Sequence, residues 1–377
     1  MQLYIHIPFC KSKCRYCDFN SYACQSDATV FSYLTALNRE LKYAGKKFCN
    51  AKIDTVYIGG GTPSLLGAKQ IQGICKTVFD SFDLSNLKEF SIECNPESID
   101  ADKLEAYRES GINRISIGVQ SLDDRNLRSV GRLHDAKTAI DAISLAKKHF
   151  DNVSCDIIVG LPYDTEESVE RTVSTLADLV EHISVYELTL EENTPLAQRV
   201  KDGLVVLPSD DEVASLFEVA LAVLKSKGFE RYEVSNFAKP DRYSRHNFGY
   251  WTREEYIGIG AGAHSLIKTK DGVERLANEI RFASPKDVNA YIAGINCVSE
   301  FDDVPRTDMN VLSDLDVRNE EIMLGLRTNL GARKTLIENK IPPTLKKFFI
   351  EKGDRISLTD EGLAVMNGIL VKLMEFD

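Results

Sequence analysis

Residues 4–227 alternate short apolar runs with amphipathic segments, and that alternation restricts the fold more than any other feature of this 377-residue chain. Residues 4–7, 55–58, 90–93, 114–119, 153–159 and 183–188 read as strands. Residues 31–47, 67–80, 100–110, 135–149, 166–180 and 210–227 carry the helical period, with Asp100 as an N-cap and Gly111 and Gly228 as stops. Strands alternating with helices form βαβ units with right-handed crossovers, which stack into a parallel sheet. Six such units suit a partial barrel, and a doubly wound open sheet is the competing architecture. The polar residues decide between them. Cys10 to Cys17, Gly59 to Thr62, Glu93, Gln120 and Tyr186-Glu187 fall at or near carboxyl ends of strands, where a parallel barrel gathers its functional groups. Asp156 lies within its strand and can point inward.

The loop after the first strand carries Cys10, Cys14 and Cys17 in the spacing Cys-x3-Cys-x2-Cys. Closed structural metal sites use four protein ligands, whereas three thiolates leave a position open. A 4Fe-4S cluster on these three cysteines keeps one iron free for a small molecule. A zinc site completed by Cys24 or His6 is the alternative. Gly60 and Gly61 let backbone approach a ligand closely, with exposed amides and the Thr62 hydroxyl as donors. Glu93 suits an ammonium group or ribose, Gln120 and Asp156 suit sugar or amide groups, and Arg132 suits a carboxylate.

The cysteine spacing, with Tyr16 just before the third cysteine, resembles the signature of the radical S-adenosylmethionine (SAM) superfamily. That resemblance implies SAM chelating the free iron, Tyr16 near adenine, and a cluster electron cleaving the sulfonium to a 5′-deoxyadenosyl radical. Residues 4–17, 59–63, Glu93, 118–120, Arg132, Asp156 with 160–162, and 358–362 together resemble the oxygen-independent coproporphyrinogen III oxidase (HemN) family. By that resemblance Tyr4, Tyr16, Gly60, Gly61, Thr62, Glu93, Gln120, Arg132 and Asp156 contact SAM. The fold it implies is a partial (β/α)6 TIM-like radical SAM barrel with a smaller C-terminal α+β, winged-helix-like domain. The expected division is barrel 1–235, connecting segment 236–284 and C-terminal domain 285–377.

Two departures matter. Oxidases of this family carry a fourth cysteine where Phe19 stands, and an N-terminal extension, whereas this chain reaches its first cysteine at residue 10. The sequence Cys17-Asp18-Phe19 resembles instead the heme-chaperone branch of the family. That branch has a His-Asn-x-x-Tyr motif, present as His246-Asn247-Phe248-Gly249-Tyr250. The resemblance implies heme binding there, with His246 as axial ligand and Tyr250 as ligand or supporting donor. Arg242 and Arg245, nearby cations, are expected to pair with heme propionates. Heme-accepting proteins, including respiratory enzymes at the membrane, are the implied partners. An active oxidative decarboxylase and a zinc-stabilised interaction protein are the alternatives.

A net charge of -11 argues against nucleic acid as a partner. No apolar run reaches the ~20 residues of a membrane span, and no secretory leader is visible, so a cytoplasmic protein, monomer or homodimer, is expected. The glycine-rich stretch 257–262 reads as close backbone packing, and 239–251 as a polar loop.

Overall fold

Strand residues alternate in chemistry with period two, and the barrel follows from which set turns inward. In β1 (Gln2–Ile7), Leu3, Ile5 and Ile7 are fully buried in the core, while Gln2, Tyr4 and His6 occupy the other face. The same split recurs in β2 (Thr55–Gly60), β3 (Glu89–Cys94), β4 (Arg114–Gln120), β5 (Asn152–Val159) and β6 (His182–Glu187). Val56, Ile58, Phe90, Ile92, Ile115, Ile117, Val153, Cys155, Ile183 and Val185 face the helical layer. β1 to β6 pair in parallel in chain order. The structure is a computed structural model and describes residues 1–23, 25–269 and 278–374. Its first six strands form a partial parallel barrel, as the alternation predicts.

The intervening helices are α1 (Asp27–Lys47), α2 (Ala68–Ser81), α3 (Ala101–Glu109), α4 (Ala136–Ala146), α5 (Glu166–Leu179) and α6 (Asp210–Ser226). Asp100 caps α3 by accepting the Lys103 amide at 2.8 Å.

Beyond residue 230 the chain departs from the sequence reading. The strand expected around 229–235 is reduced to Glu230–Arg231, and β7 (Asn236–Ala238) pairs antiparallel with β6. Half of the expected polar loop is a helix, α7 (Arg245–Trp251). Its cap comes from a distant strand: the buried Glu89 carboxylate accepts the amides of Arg245 at 2.8 Å and His246 at 3.3 Å. No local pattern encodes such a cap. The glycine-rich stretch contains β8 (Tyr256–Ile259), parallel to β1, and a Cβ on Gly258 would meet the His264 carbonyl oxygen at 2.1 Å. Close packing therefore holds there. β9 (His264–Thr269), β10 (Asn278–Ala283) and β11 (Thr307–Leu312) continue the sheet antiparallel.

Asn236–Ala238, Tyr256–Ile259, His264–Thr269 and Asn278–Ala283 are strands of the same sheet, and α8 (Val288–Asn296) packs on α1 through Val288, Tyr291 and Ile295 in the main core. A second core begins at Ile322 and closes around Ile356, Ile369 and Leu373. It holds α9 (Asp314–Gly325) and a small antiparallel sheet of Ala332–Arg333, Arg355–Leu358 and Phe349–Lys352, the expected α+β unit shifted to begin near residue 313. Helix composition alone could not tell α8, which serves the first core, from α9, which serves the second.

Candidate functional site

The carboxyl ends of β1 to β4 meet at one mouth. Cys10 is buried, Cys14 and Cys17 are half-buried, and all three are free thiols. The Thr62 hydroxyl points at the Cys10 sulfur at 3.6 Å, and the Arg132 guanidinium at the Cys14 sulfur at 3.5 Å. Donors so placed can hydrogen-bond the sulfur ligands of a metal cluster. Tyr16 packs between Val130, Ile158 and Leu161, a small apolar group separate from the main core. Arg132 also donates to Asn95 Oδ1 at 2.9 Å and to the Gly118 carbonyl at 2.6 Å, and its Nε is buried without a partner. Asn95, which the sequence reading did not single out, in turn donates to Thr62 Oγ1 at 3.3 Å. It ties the two donors together.

One expectation about this mouth needs correction. The amides of residues 60–62 are not exposed: Gly60 N–H donates to Glu93 at 2.9 Å, Gly61 N–H to the Ile7 carbonyl and Thr62 N–H to the Phe9 carbonyl, each at 2.8 Å. The glycines are required for approach instead. Gly60 sits at φ +118°, and a Cβ on Gly61 would lie 2.7 Å from the Phe9 carbonyl oxygen and 3.0 Å from the Cys10 sulfur. Gln120 adopts φ +66° beside a register shift in β4, strained for a residue with a side chain and typical of a functional position.

His6 is spoken for. Its Nδ1 meets the Tyr4 hydroxyl and its Nε2 the Asn20 carbonyl, both at 2.9 Å, so it has no nitrogen free for zinc. Cys24 lies outside the described residues. Among the described residues no three His, Cys, Asp or Glu side chains converge on one ion, which zinc would need within its ~2 Å reach. Separate thiols match a cluster, where each cysteine binds its own iron.

Below the mouth is a polar chamber of about 180 Å³, lined by residues that include Tyr4, Glu93, Arg114, Asp156, His246 and Tyr250. Tyr4, Glu93 and Asp156, expected for SAM, thus share one space with His246, Asn247 and Tyr250, expected for heme. Glu93 accepts from Tyr57 at 2.8 Å, and burial lifts its acid to about 7 against the pull of that bond and of the Gly60 amide. Burial also raises Asp156, which takes the Ser116 hydroxyl at 3.3 Å. Arg114, 2% exposed, donates to Ser154 at 2.9 Å. Tyr57, Ser116 and Ser184 were missed in the sequence because only strand register sets them opposite Tyr4, Glu93 and Asp156, and Arg114 follows from Ser116 by period two.

His246 is fully buried; its Nδ1 meets the Thr55 hydroxyl at 2.8 Å, its Nε2 the Tyr250 hydroxyl at 2.9 Å, and its ring stacks on Tyr57 at 5.1 Å. Burial, with Arg114 nearby, pushes its imidazole down to about 3. Both ring nitrogens of His246 are thus hydrogen-bonded within the protein. Asn247 and Tyr250 face the same chamber. Arg242 is paired with Glu181 at 2.7 Å, and Arg245 lines a different cavity below the floor. The motif plugs the barrel, and the two arginines do not converge on its histidine.

Residues 4–176 match the radical SAM superfamily. The chain is 33% identical to the heme chaperone HemW of Lactococcus lactis over 98% of this chain and 96% of that protein. It is 34% identical to the heme chaperone HemW of Bacillus subtilis over 97% of each. Among solved structures, coproporphyrinogen III oxidase (HemN) from Escherichia coli, a radical SAM enzyme, superposes with a TM-score of 0.83 at 22% identity, covering 99% of this chain and 89% of that one.

Proposed function

The chain belongs to the HemW family of radical SAM proteins, and from that premise we propose that it is a heme chaperone whose barrel mouth carries a 4Fe-4S cluster and SAM. One observation carries the mouth assignment: three free thiols stand beside a glycine-built turn, with the Thr62 hydroxyl and the Arg132 guanidinium aimed at two of the sulfurs. Cys10, Cys14 and Cys17 would hold the cluster. Tyr16 would cover adenine, and Glu93, with acceptor capacity left after its bonds to Tyr57 and Gly60, would take the amino group or ribose of SAM. Gln120 and Asp156 would serve the remaining polar groups. When bound, cluster and SAM supply one-electron cleavage of a carbon–sulfur bond. The protein's residues position the ligand, exclude water and hold the proton of Glu93.

Phe19, 71% exposed, stands beside this loop in place of the oxidases' fourth cysteine. That favours delivery of finished heme over decarboxylation of its precursor, to acceptors that include respiratory enzymes. No described helix is long and apolar enough to cross a membrane. Anaerobic cluster reconstitution followed by parallel assays tests this reading. Bound heme, SAM binding dependent on the three cysteines, and no turnover of coproporphyrinogen III are expected. Conversion of coproporphyrinogen III to protoporphyrinogen IX would make it an oxidase instead.

A further inference from the structure

A strained backbone persists only where its surroundings hold it, and the strain at Gln120 has an identifiable holder. β4 loses register with β5 at Val119, between Gly118 opposite Asp156 and Gln120 opposite Ile157. Across Gln120, at φ +66°, the Ser121 amide donates to the Val119 carbonyl at 2.9 Å. A three-residue turn with a positive central φ is a strained γ-turn. The turn folds the Gln120 side chain back over β4: a Cβ on Gly118 would meet Gln120 Nε2 at 2.9 Å, and Arg132 and Asn95 Oδ1 at 3.4 Å. The Gln120 amide therefore lies beside the Arg132–Asn95 pair of the mouth, in space left by a glycine.

Two side chains of one loop take the two carbonyls at this break. Arg132 donates to the Gly118 carbonyl at 2.6 Å, and His134 Nε2 meets the Val119 carbonyl at 3.0 Å. The His134 ring is fully buried, and its Nδ1 meets Glu97 Oε2 at 3.2 Å. A carbonyl can only accept a hydrogen bond. Against burial, the contacts with His134 and Arg132 hold the Glu97 carboxyl below its ordinary value, so it accepts as well. A neutral imidazole has one N–H, and a ring set between two acceptors carries two.

On the SAM reading of the mouth given above, we infer that His134, as an imidazolium paired with Glu97, is a positioning residue of the SAM site. It clamps the Val119 carbonyl and so holds Gln120 in its turn. A charged donor in a buried place binds a carbonyl more strongly than a neutral one. Asn95 and Glu97 flank Pro96, so one short segment anchors both Arg132 and His134.

Nitrogen-15 NMR of the full chain labelled in histidine, before iron is added, reads the charge state. The His134 signals, identified by their loss in His134→Gln, should show both ring nitrogens protonated at neutral pH. One bare nitrogen would overturn the clamp.

Equilibrium dialysis of SAM against the reconstituted chain reads the positioning. His134→Ala should weaken SAM about tenfold at the parent's iron content, because a buried carbonyl loses a charged donor. His134→Gln, which restores a neutral donor, should weaken it about threefold. Gln120→Gly accepts a positive φ without a clamp, so in that background His134→Ala should add nothing. Should His134→Ala load no iron, the same cycle is read with His134→Gln. Additive losses would make His134 a plain core residue and overturn the inference, as would parent affinity in His134→Ala. Either result leaves the SAM reading standing, whereas a parent chain that loads iron and binds no SAM would overturn both.

Discussion

The mouth and the floor of this barrel are built from opposite ends of the same six strands, yet they treat their polar groups differently. At the mouth, valences are left open: three free thiols, an unpartnered Arg132 Nε, and a strained Gln120. At the floor the groups around His246 are bonded to one another, although Gln2 Oε1, Arg114 Nε and Ser244 Oγ are buried without partners. Gln2 donates to the His246 carbonyl at 2.9 Å, Glu89 caps α7, and Thr55 and Tyr250 occupy both nitrogens of His246. A motif of histidine, asparagine and tyrosine reads as a ligand set in one dimension. In three dimensions its neighbours consume its bonding capacity, and it becomes a plug.

The largest expected effect separates the two ends outright. Cys14→Ala should reduce bound iron after reconstitution to background while heme affinity stays at the parent value; joint loss of both would mean that the ends are one site. Next is Gly249→Ala, whose Cβ would fall 1.9 Å from Gln2 Nε2 under the plug. Overpacking of this kind costs about 2–3 kcal/mol, read as a lower denaturant midpoint, with iron loading retained.

The buried acid and the buried base should then show opposite pH dependence. Glu93, raised to about 7, has a folded pKa above its unfolded value, so the stability tied to its protonated form is complete below about 4.5 and is lost as pH rises through 7. Glu93→Gln should abolish that loss, worth about 2 kcal/mol after allowance for its partial contact with solvent. His246, pushed down to about 3, behaves in reverse: stability is complete above about 6.5 and falls with pH toward 3. Between pH 6.5 and 5 this loss is about 2 kcal/mol, and His246→Gln should flatten it. Parallel slopes in both variants would contradict the contrast. The smallest effect belongs to Asn95→Ala, which loosens Arg132 and Thr62 together and should weaken SAM binding about fivefold, with the heme isotherm unmoved.

The sequence by itself determined the barrel and the mouth. Hydrophobic period is a local property, so β1 to β6 and α1 to α6 could be read residue by residue, and the three cysteines lie within eight positions of one loop. Tertiary structure alone decided the floor. α7 is capped by Glu89, more than 150 residues away, and His246 is filled by Thr55, so neither the helix nor the fate of its imidazole is written near residue 246. The same holds for the second core, because α8 and α9 carry similar helical patterns and differ only in the surface they meet. Likewise, the amides of residues 60–62 look free in a glycine turn until β1 and Glu93 arrive to accept them. Which residues are polar is a matter of sequence, but which remain unsatisfied, and so able to bind, depends on partners that only the folded chain brings within hydrogen-bond reach.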